Sequence, residues 1–222
     1  MHFLIIGGSG RTGRLVVSEA LSRGHQVTVL LRDPSSIPPQ PYLKLISGTP
    51  TSQTDLSTAF SAGSPLDAVI VTLSARRETD SPFSKPISPP RFMADCAANI
   101  ISEIQQTNLQ TKLVIMSTFG TTDSFPNMNL LLRLMLRHSN MKYQTEDHDA
   151  VDQEVKASGV KYVLVRPNML EDSEEVKEVR EWGDQGAGTP MLAKVTRGSV
   201  AGFLVQAAEG QVWDGRTPVI TN

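Results

Sequence analysis

Residues 5–13 read IIGGSGRTG, with glycines at positions 7, 10 and 13 directly behind the apolar run Phe3-Leu4-Ile5-Ile6. A short, continuous apolar run is the pattern of a strand buried on both faces of a parallel sheet. Beyond the glycines, Thr12 to Arg23 reads as a helix, with Leu15, Val16, Glu19, Ala20 and Leu21 on one stripe and Gly24 as its stop. Gln26–Leu31 (QVTVLL) is β-branched and apolar, a second strand. The G-x-x-G-x-x-G spacing is weak by itself, but between a strand and a helix it has a physical use. The glycines permit a tight reversal, close approach of backbone to a pyrophosphate, and close helix-on-strand packing. The helix start favours a phosphate through its free N–H groups and its dipole. The competing reading is a turn that is only a turn.

Working outward, strands and helices alternate. Tyr42–Ile46, Asp67–Leu73, Lys112–Ser117 and Lys161–Val165 read as the third to sixth strands, and Arg91–Gln106 and Gln144–Ser158 as helices between them. This alternation predicts an α/β fold with a doubly wound parallel sheet over one domain, residues 1–222, with a small C-terminal elaboration on the substrate side. Three stretches break the rhythm: Pro34–Pro41, the polar loop Arg76–Pro90, expected to be a lid or mobile, and Met169–Pro190, which fits neither helix nor strand. Met128–Leu136 (MNLLLRLML) is apolar all round as a helix except at Arg133. It reads as a buried or dimer-packing helix, or else as a wall of an apolar pocket with Phe119 and Phe125.

The 222-residue chain carries 23 acidic and 21 basic side chains, and 39% of it is hydrophobic. So even a balance predicts no nucleic-acid partner and no membrane partner. A single cysteine, Cys96, excludes an intramolecular disulfide and a multi-cysteine metal site, and no metal motif stands out. No signal peptide is expected, so the cytoplasm is the expected compartment.

Charge after the second strand bears on which dinucleotide fits. A site for NAD usually carries Asp or Glu there for the ribose 2′-hydroxyl. This chain has Leu31 followed by Arg32, and Arg11 lies inside the glycine loop. A guanidinium pairs bidentately with a 2′-phosphate, which favours NADPH. Asp33 is the opposing feature: it could pair with Arg32 or take the acidic role itself.

The stretches GGSGRTG, VTVLLRDPSSIP, DAVIVTLSARRETDSP, KLVIMST, SGVKYVLVRPN and VTRGSVAGFLVQAAE, in this order over nearly the whole chain, carry a family likeness. The sequence resembles the atypical short-chain dehydrogenases/reductases with NAD(P)H-binding, NmrA-like domains, most of all the biliverdin reductase B / flavin reductase type. The resemblance implies a Rossmann fold that binds NADP. It places Gly7, Gly10, Arg11, Thr12 and Gly13 on the pyrophosphate and Arg32 on the 2′-phosphate. Leu73 and Ser74 would lie along the adenine-side ribose and diphosphate, Met116, Ser117 and Thr118 on the nicotinamide side, and Pro167, Asn168 and Met169 by the nicotinamide amide. Many relatives have an acidic residue after the third strand where this chain has Thr49.

The chemistry is less complete. Most short-chain dehydrogenases carry Tyr-x-x-x-Lys, in which lysine and cofactor lower the tyrosine pKa. Here Tyr143 is followed four residues later by Asp147, and the positions aligned with the pair are His148 and Asp152. One helical turn apart, Asp152 would raise the His148 pKa and make a general acid of it. The alternative is a solvated polar face, Glu146 to Asp149. Ser117 and Thr118 are the other candidates for contact with the reacting centre. The leading expectation is an NADPH-dependent reductase acting on a small, planar, largely apolar molecule such as a quinone, flavin, polyketide or tetrapyrrole. A non-redox isomerase, cyclase or dehydratase, and a dinucleotide-sensing NmrA-like regulator, stay open, as does a homodimer.

Overall fold

A computed structural model describes residues 1–79 and 81–222. Its strands are β1 (His2–Ile6), β2 (Gln26–Leu31), β3 (Leu43–Ser47), β4 (Ala68–Val71), β5 (Lys112–Met116), β6 (Tyr162–Pro167), β7 (Met169–Glu171), β8 (Arg180–Glu181), β9 (Lys194–Thr196) and β10 (Val219–Thr221). Its helices are α1 (Arg11–Ser22), α2 (Gln53–Phe60), α3 (Phe92–Thr107), α4 (Leu130–His138), α5 (Met141–Ala157) and α6 (Arg197–Glu209). Eight strands form one sheet in the order β3-β2-β1-β4-β5-β6-β10-β8, parallel except for the β10–β8 pair, and β7 pairs with β9 beside it.

The central strands β1, β4 and β5 are buried along their whole length, as their uninterrupted apolar runs predict. Side chains of one pleat face (Phe3, Ile5, Val29, Ile70, Val114) pack on α1 and α6, through Val16, Ala20, Leu204 and others. Those of the opposite face (Leu4, Ile6, Val69, Leu113, Ile115) pack on α2, α3 and α5, through Leu56, Ile100, Ile104, Val151 and Val155. The sheet is therefore wound doubly, and its register (Ile6 beside Leu30 and Val71, Val71 beside Ile115, Met116 beside Val165) brings the carboxyl ends of the inner strands to one edge.

Several expectations change in detail. The apolar segment after β5 is not a buried helix: of α4 only Leu136 is buried, while Leu130, Leu131, Leu134 and Met135 face outward. The helix lies against α5 by one edge, so an all-round apolar sequence leaves most of its surface uncovered. Met169–Pro190 holds β7 and β8, and Val219–Thr221 forms β10, slotted parallel beside β6. Arg76–Pro90, of which Asp80 lies outside the described residues, is folded back on itself. Ile87 N donates to Arg76 O at 2.8 Å, Glu78 N to Lys85 O at 3.1 Å, and Arg77 bridges Pro86.

Candidate dinucleotide site at the carboxyl edge of the sheet

The turn after β1 is built so that only glycine fits. Gly7 has φ +89°, and a Cβ there would lie 2.9 Å from the Thr72 backbone. At Gly13 a Cβ would lie 2.1 Å from Gly7 O, so α1 starts directly against the turn. Gly10 N donates to Gly7 O at 3.0 Å, which closes the loop, and Thr72 Oγ1 donates to Gly7 O at 3.2 Å from β4. Gly10 occupies the N-cap of α1 with no side-chain cap, and the first turn holds no acidic residue. The amides at this helix start are left for an anion, so the cradle suits a dinucleotide pyrophosphate.

Two arginines flank that helix start. Arg11 is exposed and lies 3.5 Å from Asp172, a contact at the limit of an ion pair. Arg197, at the start of α6, donates from Nη1 to Thr12 Oγ1 at 2.8 Å and from Nε to Asp172 Oδ1 at 2.8 Å. The sequence did not single out Arg197, because its proximity to Thr12 arises only when α6 packs against α1. Arg32, just beyond β2, is exposed and makes no ion pair among the described residues. Asp33 does not engage it. Its carboxylate accepts from Ser35 N at 3.0 Å and Ser35 Oγ at 2.7 Å, bonds that hold it below the usual carboxylate range. Thr49, by contrast with an acidic counterpart, bonds Thr51 Oγ1 at 2.9 Å and donates its amide to Asp55.

The other expected positions lie along the same edge. Leu73 and the exposed Ser74 follow β4, and Gln144 Nε2 donates to Ser74 Oγ at 3.3 Å. Met116 ends β5 and is buried, as is Ser117, whose Oγ has no partner among the described residues. Thr118 is half-buried and bonds Phe119 O at 3.3 Å. Pro167 ends β6, and Asn168 donates its amide to Ile220 O of β10 at 3.1 Å, which leaves Met169 exposed. A cavity of about 250 Å³ lies between α5 and the Arg76–Pro90 loop, lined by Ala75, Arg76, Pro90, Tyr143 and Gln144 among others.

His148 lies at the same edge, because its neighbours are bonded there. Asp147 accepts the Met93 and Ala94 amides at 2.9 Å each and so caps α3, while Asp149 accepts the Thr122 amide at 2.7 Å. The segment is therefore not a solvated face: Asp147, His148 and Asp152 are all buried. Nor is His148–Asp152 an acid unit. Asp152 is taken by Arg166 Nη2 at 2.6 Å and Lys156 Nζ at 2.7 Å. Without a carboxylate, burial pushes the imidazole down to about 4, and its Nδ1 has no partner among the described residues. His148 is thus a neutral ring at physiological pH.

Arg166 is the residue that organises this region, and it lay unremarked within KYVLVRPN. It is fully buried, and besides Asp152 it donates to Asp123 at 2.7 Å, Thr122 Oγ1 at 2.9 Å and Asp184 O at 2.7 Å. Burial opposes ionisation of Asp123, but the bond and charge of Arg166 prevail and lower its pKa. A charge inside an apolar strand was the available signal: it demands buried partners.

Among the described residues no group of three or more His, Cys, Asp and Glu could hold a metal ion, and no helix is long and apolar enough to cross a membrane. Solved structures with the same fold span all of this chain. A short-chain dehydrogenase/reductase of Veillonella parvula in complex with NADP shares 14% identity over 94% of its length, with a TM-score of 0.77. An anaerobilin reductase of Escherichia coli O157:H7 shares 14% over 97%, with a TM-score of 0.77. A Rossmann-fold NAD(P)-binding family protein of Shigella flexneri shares 17% over 93%, with a TM-score of 0.68. Residues 7–211 match the NAD(P)H-binding family, which runs from the glycine turn past the end of α6, and the chain belongs to that family.

Proposed function

We propose that the protein is an NADPH-dependent reductase that passes hydride to a small, planar, largely apolar acceptor of the quinone, flavin, polyketide or tetrapyrrole kind. The observation that carries the cofactor choice is the pair Arg32 and Asp33: the carboxylate is committed to Ser35 while the guanidinium, exposed beyond β2, makes no ion pair among the described residues. An acidic residue used as a turn cap is a poor ribose ligand, and an unpaired arginine is a good phosphate ligand. Gly7, Gly10, Arg11, Thr12 and Gly13 would hold the pyrophosphate, with Arg197 beside them. Leu73 and Ser74 would follow the ribose, and Met116, Pro167, Asn168 and Met169 would border the nicotinamide.

When bound, the cofactor supplies the hydride. The chain's own part is to orient the two partners. Ser117 Oγ and His148 Nδ1 are buried polar atoms at the sheet edge without protein partners, and such atoms favour a ligand that satisfies them. In this reading Ser117, with Thr118, holds a carbonyl of the acceptor or cofactor. His148 serves as a neutral hydrogen-bonding group, not as a cationic acid, and the proton that completes reduction comes from solvent.

The test is a titration of the purified protein with NADPH and NADH, followed by the nicotinamide absorbance with quinone, flavin and ketone panels. The reading expects tight NADPH binding and oxidation with at least one panel member. Replacement Arg32→Glu removes a charge-assisted bond of about 1.5–3 kcal/mol and so weakens NADPH about 10- to 150-fold with little effect on NADH. Equal loss of both cofactors would refute the role of Arg32, and binding without turnover on any panel would refute the reductase.

A further inference from the structure

The apolar segment after β5 plays no part in the site above, yet the fold displays it to solvent. Leu130, Leu131, Leu134 and Met135 recur at positions i, i+1, i+4 and i+5 of α4, which places them on one face. Leu130 is 64% and Leu131 67% exposed, whereas Leu136 turns inward and is buried. A fifth exposed apolar side chain joins this region from another segment. Phe83, 71% exposed at the tip of the Arg76–Pro90 loop, is held to the α4–α5 junction because Asn140 donates its amide to Pro82 O at 3.0 Å and its Nδ2 to Phe83 O at 2.8 Å.

The flank of this face is basic. No Asp or Glu occurs between Asp123 and Glu146, while Arg133, Arg137, His138 and Lys142 fall within that stretch. Arg133 and Arg137 are held on the ring of Phe125, at 5.2 and 4.8 Å, and Arg137 and Lys142 border one shallow hollow that Glu146 and Asp149 line on α5. The loop of Phe83 is charge-mixed, with Arg76, Arg77 and Lys85 against Glu78 and Asp80, so it adds apolar contact and little net charge. Overall the chain carries a net charge of −2, so this is a local concentration of positive charge that composition alone conceals.

We propose that the outward face of α4, with Phe83, is a docking surface for an anionic lipid bilayer. Leucine, methionine and phenylalanine side chains at the acyl boundary, with arginine and lysine at headgroup level, are the arrangement of an interfacial helix. A second copy of the chain fits less well. In a symmetric dimer the same patch faces itself, which sets Arg133 and Arg137 against their counterparts, while Glu146 and Asp149 already share a hollow with Arg137 and Lys142 of their own chain and Asp149 is bonded to the Thr122 amide. The surface adjoins the cavity lined by Tyr143 and Gln144, so an apolar molecule leaving the bilayer would arrive beside the sheet edge. The docking itself does not rest on the reductase reading, since it needs neither cofactor nor acceptor.

The experiment is flotation of the full chain, without nucleotide, on phosphatidylcholine vesicles and on vesicles with one third phosphatidylglycerol. Binding is expected on the anionic vesicles alone and falls as salt is raised. Each basic side chain near the surface contributes about 1 kcal/mol, so Arg137→Gln with Lys142→Gln lowers partitioning about thirtyfold. Leu131→Glu with Leu134→Glu abolishes it, and because all four side chains are exposed, the thermal midpoints of these variants stay close to that of the parent. Failure of the parent chain to float with anionic vesicles overturns the proposal. So does undiminished binding by the Leu131/Leu134 variant. Dimerisation in analytical ultracentrifugation that is lost in that variant, with no vesicle binding, overturns it in favour of a protein interface.

Discussion

Burial of His148 makes a prediction about stability that can be worked through in numbers. Its side chain is 4% exposed and the imidazole pKa falls from 6.5 to about 4 because burial disfavours the charged form. The folded state therefore binds fewer protons than the unfolded state between those values, and stability falls as pH falls through that window. At pH 4 the unfolded histidine is almost fully protonated and the folded one half protonated. Linkage then gives a loss of about 3 kcal/mol relative to pH 7. Replacement His148→Gln removes this titration and keeps a polar side chain of similar size. Urea unfolding followed by circular dichroism at pH 7, 6, 5 and 4 should show the variant gaining on the parent by about 3 kcal/mol across the series. Other groups cancel in the comparison: Asp149, whose carboxyl is pushed up by burial, works in the opposite direction, and Asp123, held low by Arg166, loses its contribution only at lower pH. Parallel curves for the two proteins would refute the neutral buried imidazole. They would also revive the general-acid role, since a histidine that titrates normally can carry a proton.

Further outcomes follow from the packing. Gly13→Ala sets a methyl 2.1 Å from Gly7 O, so the turn and helix must separate, and NADPH and NADH binding should fall together by at least tenfold in a fluorescence titration while Arg32→Glu discriminates between them. Arg166→Met leaves Asp152 and Asp123 with Lys156 alone, at 2.7 and 3.9 Å, and urea unfolding at pH 7 should show a loss of about 3–5 kcal/mol, as for other broken buried pairs. Restoring balance with Asp152→Asn in the same chain should recover part of that loss; no recovery would mean that Arg166 acts by volume alone.

What was legible in the sequence was what neighbours along the chain decide. The apolar runs of β1, β4 and β5 need no partner to be read, because burial on both faces leaves no polar position. The stop at Gly24 is local too, and it adopts a positive φ of +79°. By the same logic α2 was within reach: Ser52 Oγ accepts the Asp55 amide at 3.3 Å, a Ser-x-x-Asp start that the short, weakly patterned helix behind it obscured. The strand β10 was not within reach, since three residues after a proline make a strand only because β6 offers them an open edge.

The same division runs through the site. The glycine cradle rests on contacts between residues a few positions apart and on Thr72 across one strand pair, so motif and geometry agree. The acid unit rested on a spacing of four residues, which guarantees proximity on a helix but not partnership. Arg166, fourteen residues further along and fully buried, needs a carboxylate more than a neutral imidazole does, and at 2.6 Å it takes Asp152. An uncompensated buried guanidinium costs more than an unpaired neutral ring, so the competition has one outcome. His148 is left without a carboxylate for that reason. It is consequently a buried, neutral hydrogen-bonding group at the sheet edge. In the proposed reductase such a group would need no tyrosine–lysine pair, and an acceptor that takes its proton from water would place the smallest demand on it.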